Sequence, residues 1–260
     1  MKPWSNIMIT IHIVGALSAT SHPQIVNAAH QAVNDLPPEI QQALSAYKIL
    51  VGRRIIDIKP EFADILPRGH VRNFRHTSAV MLPTRKEILV AQEALNKAAT
   101  NYLPISRNRY HCYMHELGHS FDYDGETIAT KSSRQEFKEA YKADLLRVKT
   151  LDDYERSWDL QEKFSYFFDR QSSGLGRQQR LDSARDEVFA EAFAFIVGGK
   201  NIDYDGGAYQ RDHQAVFANC YKVVEEMIRE VAPDFEALPT RKRFFPKIKE
   251  GAKVTQATLA

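Results

Sequence analysis

Residues 114–122, MHELGHSFD, place two histidines four positions apart with a glutamate directly after the first. Positions four apart share one face of an α-helix, so His115 and His119 can aim imidazole nitrogens at one point only if this stretch is helical. Tyr113, Met114, Leu117 and Phe121 give such a helix an apolar face to bury, and Gly118 lets a neighbouring backbone approach closely. The chain must therefore wrap a core around a helix that also carries a row of polar groups. Either the row is a polar stripe on a packing helix, or it holds a metal ion. In the second case Glu116, one position round the helix, is too far off axis to ligate. It is placed instead to take a proton from a bound water, whose pKa zinc lowers to about 7.

A catalytic zinc site takes three protein ligands and leaves one position open, so another donor is required. RDEVFAEAF (185–193) supplies Glu187 and Glu191, an i, i+4 pair on a helix whose other positions, Val188, Phe189, Ala192 and Phe193, are apolar. Carboxylates on a core-facing helix are costly unless paired or bound to a cation, so at least one of the two is expected at the metal. Glu139 competes, because its distance from His119 resembles that of the third ligand in thermolysin-like enzymes. Its surroundings, RQEFKEAYKAD, are densely charged, and the Asn-Glu-x-x-x-Asp signature of those enzymes is absent, so Glu139 reads as solvent-facing. His111 extends the histidine row. Each four-residue step turns a helix by about 40°, which leaves His111 and His119 about 80° apart, too far for all three histidines to share one tetrahedral ion. His111 is expected to start the helix at the cleft rim, and His213, among polar neighbours, to lie on the surface.

Composition excludes several alternatives. A chain of 260 residues, 43% hydrophobic and 26% charged, can bury a sizeable core. Its 35 basic and 33 acidic residues leave a formal charge of +2, unlike the strongly basic footprint of a nucleic-acid binder. Cys112 and Cys220 are the two cysteines, enough for one disulfide but not for a disulfide framework or a cysteine zinc finger. No stretch reaches the roughly 18 apolar residues of a membrane-spanning helix. At the N-terminus, IMITIHIVGALSA (7–19) follows Lys2 and fits either a secretory signal, cleaved after Ser18 or Ala28, or a first β-strand. We take export as the expectation.

Along the chain, residues 23–47 have helical spacing broken at Leu36-Pro37-Pro38, which predicts two short helices. KILVGRRIIDI, SAVML and KEILVAQ are short and β-branched, and predict three small strands between residues 48 and 93. From about residue 108 the pattern is helical, with SSGLGRQQR (172–180) read as a loop and Gly198-Gly199 as a helix stop. The fold class is thus α+β, a small mixed sheet followed by a mainly helical lobe. One domain is expected over residues 29–245, after a signal or first strand over 1–28 and before a basic tail over 246–260.

HELGHSFD, a Ser/Lys-rich helix and EVFAEAFAF occur in that order, and together they resemble the metalloprotease domain of the anthrax toxin lethal factor family and its Pro-Pro endopeptidase relatives. The resemblance covers roughly residues 30–230 in order of elements, and by letter 115–122 and 185–195. It implies a zincin-like fold, Zn2+ bound by His115, His119 and Glu187, Glu116 as general base, and Glu191 accepting a hydrogen bond from a ligand histidine. The family has a tyrosine seven residues before the third ligand, which looks like a transition-state stabiliser; here that position is Arg180. The interval from His119 to Glu187 is also longer, as though residues around 150–180 carry an insertion from which Tyr166 or Tyr154 could reach the site. We rank Tyr166 first, with Arg180 able to serve by charge.

These observations predict a secreted, monomeric zinc endopeptidase acting on a protein or peptide, bound by strand addition at the sheet edge, with no nucleic-acid partner. The alternative is a degenerate zinc-binding domain that recognises a peptide or protein without cleaving it, motivated by Arg180 in the tyrosine position.

Overall fold

Four strands form the sheet: β1 (Thr10–Val14), β2 (Lys48–Gly52), β3 (Ala79–Leu82) and β4 (Glu87–Ala91). Their order is β1-β2-β4-β3; β2 runs parallel to both its neighbours and β3 is an antiparallel edge. The computed structural model describes residues 9–17, 22–65, 73–96, 100–104, 109–123, 130–151, 154–168, 177–202 and 207–236. The basic tail and the ends of the 7–19 segment lie outside these. The middle of that segment is β1, paired with β2 from Thr10↔Lys48 to Val14↔Gly52. Ile9 and Ile25 are buried in the main core, so the packed body begins before residue 29.

Pro37 separates α1 (His22–Asn34) from α2 (Pro38–Ala43), as a residue that cannot continue a helix should. The second half of KILVGRRIIDI is not a strand. Arg54 Nε and Nη2 each donate to the Asp57 carboxylate at 2.7 Å, a pairing across one helical turn. Ile55 and Ile58 then bury together on one side of α3 (Ile55–Ile58). A short antiparallel pair, β5 (Glu93–Leu95) and β6 (Tyr102–Pro104), follows the sheet.

The described residues from Arg109 onward are mainly helical: α4 (Arg109–Asp122), α5 (Gln135–Lys149), α6 (Tyr154–Lys163), α7 (Ser165–Phe168), α8 (Arg177–Gly198), α9 (Ala208–Val216) and α10 (Ala218–Val231). RQQR at the end of the expected 172–180 loop already belongs to α8. These are good helix formers with no breaker after Gly176, and Gln178 donates to Asp182 one turn on. At the other end Gly199, at φ +49°, closes the helix as expected. Among the described residues no helix is long and apolar enough to cross a membrane.

β4 explains why the sheet can sit in the middle. Ile88 and Val90 join the main core with α1 and α4, while Leu89 and Ala91 join a smaller cluster with Ile55, Ile58, Phe62 and Phe74 on the other face. The unbroken apolar run ILVA is thus that of a strand covered on both sides. In the helical lobe Asp144 of α5 is fully buried and accepts from the backbone N–H groups of Asn219 and Cys220 at 3.0 Å each, capping α10 across the fold. Both cysteines are free thiols, so the allowed disulfide is not formed.

His213 is a core residue, not a surface one. Its turn of α9 carries Arg211, Asp212 and Gln214 partly exposed, but His213 itself is fully buried among Phe164, Phe167, Phe195 and Phe217. Nδ1 pairs with the Tyr221 hydroxyl at 3.1 Å. Burial pushes its pKa down from 6.5 to about 3, so the folded ring stays neutral where the unfolded chain takes up a proton. This group therefore costs stability as pH falls from 6.5 towards 3, by about 2 kcal/mol between pH 7 and pH 5. His213→Phe should lose about that much less stability than wild type over the same interval, as read by urea unfolding at both pH values.

The closest helix crossing is α4 on α8. A Cβ built on Gly118 would stand 2.7 Å from the Ala190 carbonyl oxygen and 2.9 Å from its Cα, so only glycine admits this approach. Because the obstacle is backbone, Gly118→Ala should force the helices apart and destabilise the protein by about 1–3 kcal/mol in urea unfolding. An unchanged midpoint would show that the helices do not cross this closely.

Candidate metal centre

The α4–α8 crossing brings the two sequence motifs face to face. From α4 come His111, His115, Glu116, His119 and Asp122; from α8 come Asp186, Glu187 and Glu191. All line a cleft of about 790 Å3 whose other walls are residues 76–81, including the edge strand β3, and Lys163, Tyr166, Phe167 and Tyr209 from the helical lobe.

Among the described residues, two overlapping sets could hold a metal ion, His115/His119/Glu187 and His111/His115/Glu191. They differ in spacing. Glu187 Oε2 stands 3.2 Å from His115 Nε2 and 3.7 Å from His119 Nε2. Donors about 2.1 Å from a tetrahedral ion lie about 3.4 Å from one another, so this trio has the spacing of a ligand set. Glu191 Oε2 lies 2.8 Å from His115 Nδ1 and 3.0 Å from His111 Nε2, the lengths of direct charge-assisted hydrogen bonds. An Nδ1–H donating to Glu191 leaves Nε2, which faces Glu187 Oε2 at 3.2 Å, as the ring atom that would ligate. The donor chemistry, two imidazoles and one carboxylate with the second imidazole nitrogen of His115 tied down, fits Zn2+.

Burial opposes charging His115, yet its hydrogen bonds to Glu187 and Glu191 outweigh that cost and hold the imidazolium well above its usual range. Glu187 and Glu191 are the converse. Burial raises both, and the histidines facing them pull both well below the usual carboxylate range. Glu116 differs, because burial dominates and leaves it raised despite His119 and His115 nearby. The Met81 backbone of β3 lies near its carboxylate and lowers its pKa slightly in return.

His111 sits in the first turn of α4, as expected, but is buried rather than at the rim, with its ring stacked 5.3 Å from Phe195. Glu139 is exposed and paired with Gln135, away from the cleft. Tyr166 lines the cleft on α7 and remains 42% exposed. Arg180 does not line it: two turns of α8, about 10 Å, separate it from Glu187. The Tyr154 side chain lies outside those described.

Sequence reasoning missed Asp122, Ser132 and Asp186. Ser132 Oγ is 2.8 Å from Asp122 Oδ2 and 2.8 Å from Asp186 Oδ1. One hydroxyl proton serves two carboxyls. Burial, reinforced by the Asp186 charge, pushes Asp122 up to about 7, so its carboxyl is partly protonated at neutral pH. The only sequence signal was an acid three residues after His119 and another directly before Glu187, and nothing local to either motif named Ser132. No protein-family model and no curated protein matches the chain.

Proposed function

We propose that the protein is a zinc-dependent endopeptidase of the zincin type, similar to the lethal factor and Pro-Pro endopeptidase group. The observation that carries this reading is the spacing of His115 Nε2, His119 Nε2 and Glu187 Oε2 beside a buried Glu116, at the floor of a cleft walled by an edge strand. His115, His119 and Glu187 would hold Zn2+, which when bound supplies a Lewis acid for a water and a scissile carbonyl.

The chain's own residues supply the rest. In the β3–β4 ladder the Ser78 carbonyl accepts from Ala91, so alternation turns the N–H and C=O groups of Ala79 and Met81 off the edge. The Met81 backbone lies near Glu116, and the outward-facing groups of Ala79 are where an extended peptide would pair. Glu116, raised by burial, takes a proton from the attacking water and passes it to the leaving amine. The water oxygen ends on the carbonyl carbon and the C–N bond breaks. We assign Tyr166 as the donor to the developing oxyanion, since it lines the cleft and Arg180 does not.

Purified wild type should carry about one zinc per chain, lost in folded His115→Ala and Glu187→Ala, by elemental analysis with circular dichroism as the folding check. On a peptide library Glu116→Gln should keep its zinc and cleave about 10²–10⁴-fold more slowly. A zinc-loaded wild type that cleaves nothing, matched by Glu116→Gln in binding, would favour the recognition module instead. Tyr166→Phe should lower kcat about 10²-fold with KM little changed; an unaltered kcat would remove Tyr166 from the mechanism.

A further inference from the structure

We propose that His111 is a positioning residue for the metal ligand His115, acting through Glu191. The inference rests on the zinc reading of His115/His119/Glu187. Glu191 is buried, and one of its oxygens, Oε2, accepts from both His111 Nε2 and His115 Nδ1. A carboxylate with a single donor can swing about that bond. With two donors on one oxygen, 3.0 and 2.8 Å away, it is held in one place, and the His115 ring with it.

His111 is itself fixed from two sides. It is one turn before His115 on α4, and its ring lies 15° from parallel to Phe195, one turn after Glu191 on α8. The four residues form a closed loop, two from each helix. The loop ties α4 to α8 beside the ligand trio. The same geometry argues against a second ion: His115 would have to ligate through both ring nitrogens, and 2.8 and 3.0 Å are the contacts of a bond already made.

The test is zinc affinity, by competition with a chromophoric chelator, on the full chain. His111→Phe keeps the stack on Phe195 and removes both nitrogens; His111→Gln keeps an N–H donor. His111→Phe should bind zinc about 10–100-fold more weakly, and His111→Gln should recover most of the loss. Equal affinity in wild type and His111→Phe, or an equal loss in both variants, would overturn the proposal. A proton NMR spectrum of zinc-loaded wild type gives a second readout should His111→Phe not fold. Two solvent-shielded imidazole N–H signals are expected, one of them lost in His111→Gln, and a spectrum with a single such signal in wild type would also overturn it. Wild type that binds no zinc would sink this inference together with the metal site, whereas zinc binding without peptide cleavage would sink the peptidase reading alone.

Discussion

Everything at the centre depends on how closely α4 approaches α8. The contact of Gly118 with the Ala190 backbone sets the axial distance, and that distance decides whether side chains on the two facing surfaces meet, overlap or fall short. Histidine and glutamate side chains are short. With the helices a methyl group further apart, His115 and His119 would not both come within 4 Å of Glu187, and Glu191 would not reach two imidazoles. A single residue without a Cβ thus converts two amphipathic helices into a chemical site.

The same crossing concentrates charge. Glu116, Asp122, Asp186, Glu187 and Glu191 all lie along it, against three histidines. Taking that many carboxylates out of water is unfavourable unless each finds a partner. The site divides them by environment. Glu187 and Glu191 face histidines and stay ionised, Asp122 and Asp186 share Ser132 and are raised by burial, and Glu116 is raised by its own burial. A divalent cation at the trio would offset part of that negative charge. On the proposed reading, one environment per carboxyl also yields one role per carboxyl, since a base must be poised to accept a proton while a ligand must never hold one.

Much of this was legible before any fold was known. Period-four spacing identified both helices, the apolar neighbours of each motif showed that they pack inwards, and the glycine between the histidines pointed to a close backbone. The errors share one cause. His213 was judged from its sequence neighbours, but a helix puts adjacent residues on different sides, and the side facing α7, α8 and α10 is aromatic core. RRIIDI looked like strand because Ile favours strands, and a local Arg54–Asp57 pair outweighed that preference. His111 was weighed only as a metal ligand, and the angle that disqualified it from the trio is the one that turns it towards Glu191.

The sequence by itself determined which residues could do chemistry and on which helical faces they stand, because that information is periodic and local. It also determined the layout of small sheet before helices, through the change from β-branched runs to helical spacing. Only the tertiary structure decided which carboxylate meets which histidine, that Ser132 joins Asp122 to Asp186, that Tyr166 rather than Arg180 lines the cleft, and that β3 is the edge strand beside the cleft. Those are distances between segments 50 or more residues apart in several cases, such as Ser132 and Asp186, and they are set by the packing of α4 on α8 and on the sheet. No single stretch of sequence carries them.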